Sequence, residues 1–459
     1  MTRLPFPSLL VLCAFVGASF LQAEPRTDRH VIFISIDGLA HFYFDDPLAE
    51  MPTLRRLAAE GARAKAVTTT LPTVTWPNHT SLVTGVRAGR HGVIANNYFD
   101  RETQQSVDFI PDPHFDKDEI VKVPTIYDVA HDAGLKTAGI IWPASRNAKS
   151  LDWTVPDVFP QELWDRYSTP SLLEEARAKG IPVDKQGEWC KAGPFGYLLR
   201  DRLYTQLTRH LIETHQPNLL LLHLVAVDSL QHAHGSHTPE AYFAIKQADE
   251  HVRDLVEAVE KAGLKEKTTF VIMSDHGFIN YTKTVQPNVM LKQEGLIKEF
   301  GGKPVERKVW SFAQGVAFIY LLDQTDRAAL LADITPKLAA LEGVSEVITE
   351  ADFAKYGLQT VAEDPRMPDL ILSAKEGYNF SNSVAGNDTV TTLETQKGAH
   401  GYSPSDPLMD ASFLASGAGV KAGVTLDRIG NIDIAPTVAK LLGIEMKDVE
   451  GQVLDGILE

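Results

Sequence analysis

The sequence predicts an α/β fold, with a mostly parallel central sheet covered by helices on both faces. Three apolar runs carry that expectation: 30–36 (HVIFISI), 218–227 (NLLLLHLVAV) and 268–274 (TTFVIMS). Each is short, rich in branched side chains and followed by an aspartate, as buried parallel strands that end in a ligand-binding crevice are. Segments of helical periodicity lie between them at 52–61, 126–134 and 239–263. That spacing suits right-handed crossovers.

Taken in order, the first strand ends in Asp37-Gly38, and Pro52 opens a short amphipathic helix that stops at Gly61. A strand is expected at 137–141. The run from Asn218 is expected to continue as a strand through Asp228, and the third strand ends in the pair Asp275-His276. Segment 142–196, rich in Pro, Trp and polar residues, reads as an insertion that caps or walls a site. Segment 280–398 reads as a mixed subdomain, with strands at 317–322 and 370–373 and a helix at 326–342. A strand at 412–416 and a helix at 434–443, proline early and glycine at its stop, complete the pattern. No internal repeat or low-complexity linker divides the chain, so residues 24–459 are expected to form one catalytic domain.

At 459 residues, 44% hydrophobic and 23% charged, the chain has an ordinary globular composition with a sizeable core. A formal charge of -16 argues against a nucleic-acid groove, which needs clustered Lys and Arg. A small anionic substrate remains compatible if metal ions supply positive charge. Residues 1–23 read as a signal peptide: Arg3, an apolar run over 9–21, and Ala23 at the cut. The run is too short to span a membrane, and export to the periplasm or exterior is expected. Cys13 lies in that leader and leaves Cys190 alone, so no intramolecular disulfide is expected in the mature chain.

The residues that carry chemistry are spread along the chain. Thr75 stands between Pro72 and Pro77, whose rings stiffen the backbone that presents its hydroxyl; the plainer reading is a polar loop with Asn78 capping a helix. Asp228 and His232 are four apart, on one face of a helical turn. His400 sits between Ala399 and Gly401, in a glycine-rich stretch where backbone can approach a site closely. With Asp37, Asp275 and His276 these make three carboxylates and three imidazoles, enough for two metals of mixed ligation. That donor set suits zinc better than magnesium or calcium. Two such ions could activate a hydroxyl for in-line displacement at phosphorus, and a threonine needs that help.

The segments Ser35-Ile-Asp-Gly38, Thr75-Trp-Pro-Asn-His79, Leu82-Val-Thr-Gly85, His91-Gly92, Val227-Asp-Ser-Leu-Gln-His232, Ser274-Asp-His-Gly277 and Ala399-His-Gly401 resemble, in order and spacing, the nucleotide pyrophosphatase/phosphodiesterase branch of the alkaline phosphatase superfamily. The resemblance runs from about residue 28 to about residue 445. It implies an alkaline-phosphatase-like domain with two Zn2+, one held by Asp228, His232 and His400 and the other by Asp37, Asp275 and His276, with Thr75 beside the second. Thr75 would attack phosphorus and form a phospho-enzyme. Asn96 would donate to a phosphoryl oxygen together with the Thr75 backbone N–H. Trp76 would meet a base or headgroup; Asn97 and Tyr98, which follow Asn96, read either as pocket-lining or as ordinary loop residues. Val74 replaces the lysine of several nucleotide-cleaving relatives, which weakens the expectation of a polyphosphate substrate. His79 and His91 are assigned to the scaffold, since the six ligands are complete without them.

The function expected is therefore an exported zinc phosphodiesterase or nucleotide pyrophosphatase acting on a small diester, with no nucleic-acid polymer as partner. A phosphomonoesterase or phosphonate hydrolase is the alternative within the superfamily; it commonly needs an added arginine, and Arg87 and Arg90 are the nearest in sequence. A non-catalytic exported metal-binding protein is a third reading, opposed by the completeness of the ligand set.

Overall fold

The computed structural model describes residues 25–110 and 114–459. The expected signal peptide and Cys13 lie outside the described residues.

Eight strands form the central sheet: β1 (His30–Ile36), β2 (Ala62–Thr68), β3 (Thr137–Trp142), β4 (Trp153–Pro156), β5 (Leu219–Leu224), β6 (Thr268–Met273), β7 (Ala411–Gly417) and β8 (Val424–Gly430), in the order β8-β2-β7-β6-β1-β5-β3-β4. Neighbours run parallel except at β7, which is antiparallel to both β2 and β6. β1 lies at the centre, with Ile34 opposite Leu222 and Ile272. Every residue of β1, β5 and β6 is buried, and each fully buried leucine contributes about 1.5–3 kcal/mol.

The helices that matter below are α1 (Pro52–Glu60), α2 (Thr75–Thr84), α3 (Ile126–Asp132), α4 (Pro170–Ala178), α5 (Gly193–Thr214), α6 (Ala226–His234), α7 (Pro239–Lys261) and α8 (Ile434–Leu442). They cover two faces. Ile34, Leu222, Leu203, Leu207, Ile245 and Val252 share one core, whereas Phe33, Leu221, Leu82, Ile126, Val438 and Leu442 share the other. The alternation along β1 and β5 thus points successive side chains into opposite layers. Among the described residues no helix is long and apolar enough to cross a membrane.

Two segments differ from the sequence reading. The strand expected to run through Asp228 stops at Leu224. The cause is Asp201 of α5, whose carboxylate accepts from the Val225 and Ala226 N–H groups at 2.8 and 3.0 Å and so starts a helix where the ladder would have continued. Asp228 consequently sits in the first turn of α6. Segment 142–196, expected as a cap, supplies the edge strand β4 and packs Trp164, Leu172, Leu173 and Ala176 into the same core as β1.

Residues 280–398 fold largely around a second core. A four-stranded antiparallel sheet of Val309–Gln314, Val316–Leu321, Leu370–Ala374 and Val344–Thr349 carries helix Arg327–Ala339. Leu71, Ile94 and Phe99 of the main body pack into this core. Beside it, strand Ile279–Val285 pairs with Gly377–Phe380 and with Val390–Ala399, and this last strand delivers His400.

Candidate active site

The ligand candidates converge at the carboxyl ends of β1 and β6 and the start of α6. The Asp37 N–H donates to the Leu224 carbonyl at 2.9 Å, and the Gly38 N–H to Asp275 Oδ1 at 3.2 Å. Gln231 of α6 ties the helix to this turn: its amide donates to the Gly38 carbonyl at 2.8 Å, and its oxygen accepts from the Tyr43 hydroxyl at 2.7 Å. His276 Nε2 lies 3.3 Å from Asp37 Oδ1 and 3.2 Å from Asp275 Oδ2. The His276 and His400 rings stack, centroids 3.6 Å apart. His400 Nε2 is 3.5 Å from Asp228 Oδ1, and His232 Nε2 is 3.3 Å from the same oxygen.

The three imidazoles are aimed alike. His232, His276 and His400 each set Nδ1 against a backbone carbonyl, those of Gly398, Gly277 and Thr73, at 3.0, 3.1 and 2.9 Å. A carbonyl only accepts, so Nδ1 carries the proton and Nε2 turns its lone pair inward, the arrangement of a metal-ligating histidine. Asp37 Oδ1, Asp228 Oδ1, Asp275 Oδ2 and His276 Nε2 are buried without a hydrogen-bond partner among the described residues. Orphaned acceptors of this kind are costly unless something cationic joins them. Two groups bring their ligand atoms within 4.8 Å of one another: Asp37, Asp275 and His276, and Asp228, His276 and His400. The residues present therefore fit a metal centre of mixed nitrogen and oxygen ligation. The first group matches the sequence reading; in the second His276 stands where His232 was expected, with His232 at its edge.

The electrostatics agree. Burial, and then the neighbouring Asp37 charge, push the Asp275 carboxyl up to about 8. Burial would raise Asp37 also, but the hydrogen bond from His223 and the adjacent His276 ring hold it well below the usual carboxylate range. Burial and the adjacent His276 keep His400 well below the ordinary imidazole value. Without a cation the site must hold protons among crowded carboxylates.

Thr75 is the first residue of α2, and 8% exposed. Its backbone N–H belongs to the set that has no acceptor inside a helix and points out of the N-terminus. Asn78 is not the cap of this helix: it lies within the first turn. Its side chain accepts from the Thr70 N–H at 2.7 Å and donates to the Val74 carbonyl at 2.8 Å, which clamps the loop that presents Thr75. His79 donates from Nδ1 to the Thr75 carbonyl at 2.9 Å and approaches Asp275 Oδ2 at 3.5 Å, so α2 abuts the ligands. Asn96 Oδ1 accepts from the Trp76 N–H at 2.8 Å. This bond sets Oδ1, rather than the NH2 group, against the Trp76 N–H. His91 serves the scaffold, its Nε2 against Ser81 Oγ at 3.0 Å and its Nδ1 accepting from Val93 N–H at 3.2 Å.

A cleft of about 330 Å³ opens beside these groups, lined by Asn96, His232 and His400, by the apolar Val74 and Ile110, and by Asn97, Gln314 and Asn379 among others. No lysine or arginine lines it among the described residues. Arg87 and Arg90 pair with Glu450 at 3.6 Å instead. Trp76 is 2% exposed, its ring parallel to Phe109 with centroids 5.8 Å apart, and Tyr98 packs on the same phenylalanine; neither lines the cleft.

Three functional residues escape sequence reasoning. His223 interrupts the leucines of β5 and holds Asp37 Oδ2 at 2.9 Å; an imidazole inside a fully buried strand was the available signal. Thr73 orients His400 through its carbonyl, while its hydroxyl accepts from Gly401 N–H at 3.0 Å. Asp201, which sets α6, left no signal because nothing in the sequence says which helix faces it.

Comparison with known proteins identifies the family. Residues 31–403 match the family model described as type I phosphodiesterase / nucleotide pyrophosphatase. The chain is 23% identical to rat ectonucleotide pyrophosphatase/phosphodiesterase family member 7, across 98% of this chain and 91% of that one. It is 24% identical to the Bos taurus bis(5'-adenosyl)-triphosphatase ENPP4, across 96% and 82%, and to a Caenorhabditis elegans ectonucleotide pyrophosphatase/phosphodiesterase of which it spans only 43%. Murine ectonucleotide pyrophosphatase / phosphodiesterase 5 superposes with a TM-score of 0.69 at 18% identity, over 94% of this chain and all of that one. An inactive threonine-to-alanine form of that murine protein in complex with AMP superposes at 0.68, with 19% identity and the same coverage. The chain belongs to the type I phosphodiesterase / nucleotide pyrophosphatase family of hydrolases.

Proposed function

We propose that this hydrolase, exported after loss of its first 23 residues, cleaves phosphodiester or phosphoanhydride bonds of small nucleotide-like substrates through a phospho-threonine at a two-zinc centre. The observation that carries the reading is the convergence of six ligand side chains, four of their atoms buried and unpartnered, beside the N-terminus of the helix that begins with Thr75. Asp37, Asp275 and His276 would hold one zinc, and Asp228, His232 and His400 the other. Bound there, the ions would supply Lewis acidity and lower the pKa of a hydroxyl.

The remaining steps belong to the chain. The Thr75 hydroxyl gives up its proton to solvent, Oγ forms a bond to phosphorus, and the bond to the leaving oxygen breaks in line, that oxygen taking a proton from water. Attack of a water oxygen on phospho-threonine then releases the phosphate monoester and restores Thr75. The Asn96 NH2 and the Thr75 backbone N–H donate to the phosphoryl oxygens as charge gathers on them. Trp76 and Tyr98 support the Asn96 loop from behind. Val74 presents an apolar wall, and the neutral amides of Asn97, Gln314 and Asn379 present polar groups to the part of the substrate that leaves or remains.

With no lysine or arginine lining it among the described residues, the cleft favours a monoanionic diester over a dianionic monoester, whose second charge would find no guanidinium there. Relatives named for bis(5'-adenosyl)-triphosphate cleavage and seen with AMP support a nucleotide in that place. The test compares bis-p-nitrophenyl phosphate with p-nitrophenyl phosphate, alongside metal analysis. Faster diester turnover with at least two zinc per chain supports the proposal; faster monoester turnover, or a full metal complement with no diester turnover, contradicts it.

A further inference from the structure

A second cluster of metal-ligating side chains lies at the opposite edge of the sheet. Glu175 of α4 places one carboxylate oxygen, Oε2, 2.7 Å from His210 Nε2 and 2.7 Å from His215 Nε2. His210 lies four residues before the end of α5 at Thr214, and His215 follows directly where that helix ends. β5 starts four residues later, so the cluster stands at the amino ends of the strands, about 20 Å by strand length from the catalytic ligands. The catalytic reading makes no use of it.

We infer that Glu175, His210 and His215 form a divalent transition-metal site that takes zinc and clips α4 to α5. Two imidazoles and a carboxylate are a zinc-type donor set, and their ligand atoms already lie within 4.8 Å of one another. Bonds of about 2.0–2.2 Å in tetrahedral array separate neighbouring ligand atoms by roughly 3.3 Å, so the two carboxylate–imidazole contacts have only to open by a fraction of an ångström. His210 is nearly buried, while Glu175 and His215 are 35% and 21% exposed in their side chains, which leaves a route and an open position to solvent.

The surroundings fix the rings. Trp153 of the edge strand lies against His215 with centroids 4.5 Å apart. At His210, Lys179 Nζ donates to Nδ1 at 2.8 Å, and the Thr214 hydroxyl is 3.2 Å from the same nitrogen. In the metal-free molecule Nδ1 therefore accepts and Nε2–H donates to Glu175. Binding moves that proton to Nδ1, where the Thr214 oxygen accepts it, and the exposed Lys179 ammonium turns to water. Because the clip joins a helix of segment 142–196 to the long helix covering the sheet, its effect is on the stability of this edge.

The test uses the full chain with its catalytic centre loaded with zinc. Bound metal is counted, and the melting temperature is followed as zinc is added, for the wild type, Glu175→Gln and His215→Ala. The inference expects each variant to hold one zinc fewer per chain than the wild type and to lose the zinc-dependent rise in melting temperature, with diester turnover unchanged. Equal metal content and the same zinc response in all three would overturn it and leave the trio as a hydrogen-bonded ion pair. The readout is a difference between variants, so it stands whatever the catalytic centre is found to hold.

Discussion

Replacing Asn96 separates two jobs that one side chain performs. Its oxygen accepts from the Trp76 N–H at 2.8 Å, and its NH2 is the group proposed to donate to the phosphoryl oxygen. Asn96→Asp keeps the acceptor and the shape but exchanges the donor for a negative charge that faces an anionic substrate. Loss of one such donor lowers kcat by about 10²–10³, or roughly 3–4 kcal/mol of transition-state stabilisation, and repulsion deepens the loss. Folding should be nearly unaffected, because the bond to Trp76 survives. Asn96→Ala has the converse profile: it removes the donor without adding charge, yet strands a part-buried N–H at the start of α2 and costs about 1–3 kcal/mol of stability. Turnover of bis-p-nitrophenyl phosphate should thus rank wild type, Ala, Asp, whereas melting temperature should rank wild type and Asp above Ala. If the Asp variant, folded and metal-loaded, turned over within about threefold of wild type, the assignment of the amide NH2 to the reaction would fail.

Three further outcomes follow from particular contacts. Gly401 has φ +95, and a Cβ there would lie 2.2 Å from the Gln314 carbonyl and 3.0 Å from Val74; Gly401→Ala should cost at least about 1–3 kcal/mol for the backbone alone and release metal, read by unfolding and metal content. Asp201→Ala removes two charge-assisted bonds from the start of the helix that carries Asp228 and His232, and should lose about 2–4 kcal/mol of stability together with metal affinity, measured by urea unfolding and chelator competition. Burial holds His91 down to about 3, and the unfolded chain takes up that proton near pH 6.5. Stability should therefore fall as pH drops through that window, by up to about 1.4 kcal/mol per unit from this residue; in His91→Gln, whose stability at pH 7 is lower, urea midpoints between pH 7 and 5 should show the slope reduced by one proton.

Five of the eight sheet strands, β1, β3, β5, β6 and β7, were legible as apolar runs, and the candidate ligands stand within a few residues of a strand end or in a short polar motif; β2 and β8, half-exposed and carrying Arg63, Lys65, Asp427 and Arg428, and the four-residue β4 gave no such run. Asp37 and the Asp275-His276 pair follow β1 and β6 as that logic requires. The departures share one cause, a partner distant in sequence. Asp201 ends β5 four residues before Asp228, and no local pattern in the leucine run foretells it. His276 stands between both ligand groups because His400, arriving from strand Val390–Ala399, stacks on it, a contact between residues 124 positions apart in the sequence. Trp76 reads as a residue that meets a base or headgroup, but it is buried, with Phe109 against its face. Segment 142–196 has the composition of a cap, yet one short strand and four apolar side chains attach it to the sheet edge.

Stereochemistry at phosphorus tests the proposed covalent threonine most directly. A diester phosphorothioate of known configuration is hydrolysed in 18O-labelled water, and the configuration of the product is determined. Each in-line displacement inverts the centre, so transfer to Thr75 followed by transfer to water predicts overall retention. Inversion would mean that water attacks the diester in a single step and that Thr75 is never phosphorylated.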